Sequence, residues 1–340
     1  MTYQTFCKTY HISKLNPQQE KAVKKIDGAT LLLAVPGSGK TTVLVTRLGY
    51  MVYCKGIDPS KILTVTYTVA ATKDMAKRFA GYFGKDMAEQ LEFRTINGIC
   101  AKIIQYYGKM VGRTAFELVR DEKMTAGLLS KIYQQVQHEF ATESDLKNVR
   151  TLITYIKNMM LSEEEILKLD EKEEMKISII YKEYCRQLRE HHLMDYDDQM
   201  VYAYTMLRKF PQLLERFQNL YPYICVDEAQ DTSKIQHAII ALLASKTENL
   251  FMVGDEDQSI YGFRAAYPEA LLSFEKNHAN ARVLLMEDNF RSNASIVEAA
   301  DRFIQKNTLR HEKHMRATKE RMEEIKEISL KSRKAQYSYL

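Results

Sequence analysis

The chain has 340 residues, 45% of them hydrophobic, and a formal net charge of +5, enough for two domains with sizeable cores. The mild positive balance permits a nucleic-acid partner without demanding one, and no apolar run reaches membrane-spanning length. Cys7, Cys54, Cys100, Cys185 and Cys225 are odd in number, with no C-x-x-C pair. That argues against a disulfide framework or a cysteine metal site and, with no leader-like apolar stretch, for a cytoplasmic protein.

In chain order, "LNPQQ" (residues 15–19) comes first. It places Pro17 where a first helical turn accepts it, and gives the Gln19 amide a donor and an acceptor for an edge such as that of adenine. Residues 31–35 are an apolar run of buried-strand type that stops at "PGSGKTT". Within Pro36, Gly37, Ser38 and Gly39 the glycines let successive N–H groups turn inward and make a nest for anionic oxygens. Lys40 adds a point charge, the Thr41 hydroxyl suits a magnesium ion, and Thr42 continues into a helix predicted over 41–53, whose N-terminus favours phosphate. The spacing fits G-x-x-x-x-G-K-[ST], with Ala34 in the first glycine position. A plain glycine turn is the simpler alternative; strand, loop and helix together favour nucleotide binding.

Further strand-type runs occur at 62–66, 223–226, 250–253 and 283–286, each followed by a loop and a helical pattern. They predict an α/β fold with a mainly parallel sheet covered on both faces. Residues 109–193 differ, having no proline, no glycine after Gly127, and helical periodicity that puts Leu146, Val149, Leu152, Ile153 and Ile156 on one face. Ser162 and Glu165 make a capping-box pattern. A helical insertion therefore interrupts the α/β domain. From about Arg310 the chain is charged and weakly patterned and reads as an exposed helix or a disordered tail.

Two segments carry further chemistry. "YICVDEAQD" (223–231) sets Asp227 and Glu228 at the C-terminal end of an apolar strand, where Asp227 suits a hydrated magnesium and Glu228 a general base. Acidic pairs are more often solvated turns, but a buried strand ending in them favours the functional reading. "LFMVGDEDQSIYGFRAA" (250–266) repeats strand then polar loop, with Gln258 as a sensor of a terminal phosphate and Tyr261 and Phe263 near Arg264. Such a group resembles a stacking platform for single strands, although each aromatic taken singly is more often a packing residue.

These motifs, in this order, resemble the UvrD/Rep-like superfamily 1 DNA helicases over roughly residues 13–310. "LNPQQ" resembles the Q motif, "AVPGSGKTT" motif I, "TVTYTVAATKDM" (64–75) motif Ia and "RTING" (94–98) the Ib segment. "MDYDDQM" (194–200) is similar to the family's "DFDDLL" element, "VDEAQD" to motif II, "VGDEDQSIYGFRAA" to motif III and "EDNFRSNASI" (287–296) to motif IV. The resemblance implies a RecA-like P-loop NTPase domain, 1A, over 1–108 and 194–310, a helical domain 1B over 109–193, and a tail over 311–340 leading toward a second motor domain, 2A. It implies ATP and magnesium as cofactors. Gln19 reads adenine, Phe290 stacks on it, Arg291 touches the terminal phosphate, and Lys40, Glu228, Gln258 and Arg291 carry catalysis. Tyr67, Thr95, Asn97, Tyr196, Tyr261, Phe263 and Arg264 are the implied DNA contacts. Partners are single-stranded DNA and single/double-strand junctions, with 3′ to 5′ movement.

Four positions depart from the family: Val69-Ala70 for Asn-Lys in motif Ia, Asn97 for a frequent histidine, and Phe263 for a frequent tryptophan. The G-L-E and "ALTRA"-like patterns of 2A do not occur in the sequence, so the expectation is the N-terminal half of a helicase, truncated or incomplete, with little turnover alone. A helicase–nuclease subunit and a module that only binds ATP and single strands are the alternatives. A small-molecule kinase leaves "DEAQD", "QSIY" and "NFRS" unexplained.

Overall fold

The computed structural model describes residues 1–260, 262 and 265–339. Tyr261, Phe263 and Arg264, three of the implied DNA contacts, lie outside the described residues.

Six strands form one parallel sheet, in the spatial order Glu92–Thr95, Ile62–Thr66, Tyr223–Val226, Leu250–Gly254, Thr30–Ala34 and Arg282–Met286. Four of them are buried at every position or nearly so, which is why they read as continuous apolar runs. Alternate side chains feed two cores. Leu31, Leu33, Leu63, Val65, Ile224 and Val226 face helices Ile96–Val111, Tyr196–Lys209, Pro211–Leu220 and Lys234–Ala244. Leu32, Ala34, Ile62, Cys225, Phe251 and Val253 face helices Tyr3–Thr9, Pro17–Lys24, Lys40–Tyr53 and Val69–Phe83. The buried Arg47 guanidinium lies 3.9 Å over the Phe251 ring and donates to the Ala22 and Ile26 carbonyls, fixing the helix that carries Gln19 against the helix that follows the phosphate loop.

A third core is built from helices alone, Glu122–Gln137, Glu143–Met159, Glu163–Lys172 and Ile177–Glu190. Val149, Leu152, Ile153 and Ile156 are buried there, Leu146 is partly buried, and Ser162 and Glu165 make the reciprocal capping box. Helix Ile96–Val111 runs through position 109 without a break. The segment beyond it is tied at its neck by a short parallel pairing of Glu117–Leu118 with Leu193–Met194. Three aspartates after that neck bond helix Glu143–Met159. Lys157, 1% exposed at its side chain, bonds Asp195 at 2.7 Å and Asp198 at 2.8 Å. Asp197 accepts from Thr154 and Asn158, each at 2.8 Å.

The tail expectation is corrected for residues 310–319. Lys313 is 1% exposed, and Arg316–Ala317 pairs in parallel with Asp288–Asn289. A run of charge looked solvated in sequence, but Arg310 and Lys313 are paired with carboxylates of the 255–257 turn and Arg316 with Asp288. Helix Arg333–Tyr339 has no buried residue.

Candidate nucleotide site at the C-terminal edge of the sheet

Because all six strands are parallel, their C-terminal ends share one edge, and the loops leaving that edge carry the phosphate loop, Tyr67, Thr95–Asn97, Asp227–Glu228, Gln258 and Phe290–Arg291, while Gln19 and Tyr196 reach it from helices Pro17–Lys24 and Tyr196–Lys209. Strand order then sorts them. Thr95, Asn97 and Tyr67 leave the two strands at one end; Asp227, the 255–258 turn, the phosphate loop and Phe290–Arg291 follow toward the other.

The phosphate loop is held by its carbonyls. The Pro36 carbonyl accepts from Asn289 Nδ2 at 2.7 Å, Gly37 from the Phe290 N–H at 3.0 Å, and Ser38 from Gln19 Nε2 at 2.9 Å. With three successive carbonyls anchored outward, the loop presents its N–H side to the nest. Gly37 and Gly39 have φ of +70° and +87°. A Cβ on Gly37 would sit 2.8 Å from Arg291 Cβ, so only glycine fits there. Ser38 is 1% exposed and its hydroxyl donates to Val35 O at 2.6 Å, so its side chain shapes the loop. Helix Lys40–Tyr53 opens without a side-chain cap, which leaves first-turn N–H groups for an anion. Thr41 and Thr42 are half-buried on that first turn.

Lys40 Nζ donates to Glu228 Oε2 at 2.7 Å. Gln230 Nε2 donates to the same oxygen at 2.8 Å, and its Oε1 accepts from the Asp255 N–H at 3.1 Å. Asp255 Oδ2 accepts from Gln258 Nε2 at 2.7 Å. Lys40, Glu228 and Gln258 are therefore joined by one chain of hydrogen bonds, through Gln230 and Asp255. Glu228 takes φ +49°, in the left-handed region. Beside it, Asp227 Oδ1 is buried with no partner among the described residues. Burial, then the Glu228 charge, push the Asp227 carboxyl up to about 6, with Lys40 pulling the other way. Asp231 is raised to about 6 for the same first two reasons.

Gln19 sits in a capping box: Asn16 Oδ1 accepts from its N–H, and its Oε1 accepts from the Asn16 N–H. One amide hydrogen and one lone pair remain for a base edge. Phe290 is 42% exposed and lines a cleft of about 740 Å³ with Lys14, Asn16, Pro17 and Lys21. Arg291 is exposed beside it.

At the other end, Thr95 caps helix Ile96–Val111 through the Gly98 N–H, and Asn97 Nδ2 donates to Tyr196 O at 2.7 Å. Thr95, Asn97 and Tyr196 line one cleft of about 360 Å³, together with Phe116, Arg120 and Gln199. Half-buried Tyr67 and Asn97 share a smaller gap with Asp227. The structure thus brings four of the implied DNA contacts together. Sequence reasoning missed Asn289, Gln230, Arg120 and Lys313. Only Asn289 left a signal, an Asx turn in which its Oδ1 accepts from the Arg291 and Ser292 N–H groups.

The model of the UvrD/REP helicase N-terminal domain matches residues 15–279. The chain belongs to the UvrD/REP helicase family. Among curated relatives it is 33% identical over 305 residues to the ATP-dependent DNA helicase PcrA of Staphylococcus aureus (strain Mu50 / ATCC 700699), covering 89% of this chain and 41% of that one. It is 31% identical over 297 residues to the PcrA of Leuconostoc citreum, covering 87% of this chain and 40% of that one. This UvrD/REP chain therefore spans about 41% of the length of the curated relatives it matches. Among its described residues no helix is long and apolar enough to cross a membrane.

Proposed function

We propose that this chain is the ATP-binding half of a cytoplasmic DNA translocase or helicase that moves 3′ to 5′, with residues 109–193 acting as an inserted helical domain 1B. The observation that carries this reading is the bonded chain Lys40–Glu228–Gln230–Asp255–Gln258, which joins the phosphate loop to two side chains suited to hydrolysis. Lys40 and the Gly37–Gly39 backbone bind phosphate oxygens. Phe290 stacks on the base while Gln19 reads its edge. Glu228 orients the attacking water, Gln258 bonds the terminal phosphate, and Arg291 stabilises the charge that spreads over it.

Magnesium fits the donor set. Asp227 presents a buried oxygen without a hydrogen bond, and a carboxyl raised by burial is ionised most readily beside a cation. The Asp227 carboxylate and the Thr41 hydroxyl would hold the ion, which supplies charge neutralisation on the phosphates.

Tyr67, Thr95, Asn97 and Tyr196 form the path for single-stranded DNA, and junctions present that strand to it; Tyr261, Phe263 and Arg264 carry the same role by their place in the sequence. The shared gap of Tyr67 and Asp227 favours coupling between strand and nucleotide. The nucleotide cleft at Phe290 and Arg291 opens outward, so a second motor domain, 2A, is the expected opposite wall. One arginine finger in this mechanism class is worth roughly 10³–10⁵ in turnover. These 340 residues are thus expected to bind ATP with magnesium and to bind single strands weakly, with slow turnover. Joining 2A should bring DNA-stimulated hydrolysis. Titrating ATP and GTP into this chain, then assaying turnover with and without DNA, tests the reading; absence of ATP binding defeats it.

A further inference from the structure

The strap over residues 310–319 touches both sides of the nucleotide site. At its start, Lys313 Nζ lies 3.1 Å from Asp255 Oδ1, 2.7 Å from Glu256 Oε1 and 2.8 Å from Asp257 Oδ2. Arg310 grips Asp257 with two nitrogens, Nε at 3.0 Å from each carboxylate oxygen and one terminal nitrogen at 2.7 Å. The His311 N–H donates to Glu256 Oε1 at 2.8 Å. Further on, the Arg316 N–H donates to Glu287 O at 2.8 Å, the Thr318 hydroxyl to Asn289 O at 2.9 Å, and Lys319 Nζ to Arg291 O at 2.8 Å. The carboxylate that Lys313 holds on one oxygen receives Gln258 Nε2 on the other. The backbone of that same Asp255 holds Gln230, which holds Glu228.

We propose that Lys313 is a positioning residue: by fixing Asp255 it aims the Gln258 amide at the terminal phosphate, and the strap carries that setting to Arg291. This rests on the nucleotide reading above and adds a residue that touches neither nucleotide nor water. A lysine needed only to neutralise three buried carboxylates would stabilise the fold without distinguishing nucleotides. A positioning lysine acts on the terminal phosphate alone, because ADP presents nothing for Gln258 to meet.

The test is the ratio of affinities for a non-hydrolysable ATP analogue (adenylyl imidodiphosphate) and for ADP, both with magnesium, measured by calorimetry on this chain. Lys313→Met should lower the ratio roughly tenfold, the worth of a hydrogen bond to a charged group, with ADP affinity changed by less than about twofold. In a Gln258→Ala background it should lower the ratio no further. If Lys313→Met does not fold, Lys313→Gln keeps a hydrogen-bond donor in place of the ammonium beside Asp255 and should lower the ratio roughly threefold. An unchanged ratio in the variant that folds, an equal loss for both nucleotides, or an effect additive with Gln258→Ala overturns the proposal. So does an unmodified chain that binds both nucleotides equally. An unmodified chain that binds neither sinks the nucleotide reading itself, and the proposal with it.

Discussion

Lys40 Nζ and Glu228 Oε2 stand 2.7 Å apart, with Lys40 mostly buried and Glu228 partly open to solvent. The phosphate lysine is thus paired with the carboxylate proposed to orient water, and a terminal phosphate would compete for the same ammonium. Lys40→Ala should lower ATP affinity by tenfold or more, since a charge-assisted contact is worth about 1.5–3 kcal/mol. Glu228→Gln should bind ATP as well as the parent or a few-fold tighter, because a half-exposed pair holds Lys40 by only about 0.2–1 kcal/mol. Calorimetry on both variants checks this; a tenfold loss in Glu228→Gln would make Glu228 a binding group.

Gly37→Ala combines a left-handed backbone with a Cβ placed 2.8 Å from Arg291 Cβ. The backbone strain alone is worth about 1–2 kcal/mol, and relief requires the loop to leave Asn289. The variant should keep its far-ultraviolet spectrum, unfold at lower urea and lose ATP binding. Retained affinity would show that the loop tolerates the shift.

Gln19→Ala removes the tie to Ser38 O and half of the capping box, so ATP and GTP should both bind less tightly. If the spare amide hydrogen and lone pair read adenine, ATP should suffer more, by about 1 kcal/mol. Equal losses for the two nucleotides would leave Gln19 with the loop-holding role only.

Lys157→Met leaves Asp195 and Asp198 facing each other without their shared cation at the junction with the insertion. Removing one partner of a buried pair costs about 3–5 kcal/mol. Urea denaturation should show that loss. A change below 1 kcal/mol would mean that the aspartates find water or take up protons.

His237 gives stability a dependence on pH. Burial pushes its imidazole down to about 4, and Nε2 has no partner among the described residues. Between about 6.5 and 4 the unfolded chain takes up a proton that the folded chain refuses, so stability is full above that window and falls as pH drops through it. The loss should total about 3 kcal/mol. Urea midpoints at pH 7.5 and 5 should converge in His237→Gln; an unchanged pH dependence would move the effect to another group.

Local chemistry made part of this protein legible in one dimension. The strand runs, the glycines at 37 and 39, the Pro17 helix start and the Ser162–Glu165 box each depend on neighbours within a few positions, and each stands where the sequence indicates. The helices between 122 and 190 were legible too, because a stretch without proline and with one apolar helical face builds helices wherever it is placed. Only the fold decided what those pieces meet. Parallel pairing sends Asp227, Gln258, Lys40 and Phe290 to one edge, and the spatial strand order separates Thr95 and Asn97 from the phosphate loop. Asn289 anchors Pro36 across 253 positions, and Lys313 reaches Glu256 across 57. Such contacts leave no periodic trace in the chain, and a lysine among solvated charges reads like one that neutralises three carboxylates. Its burial comes from how the strap packs, which no short window of sequence contains.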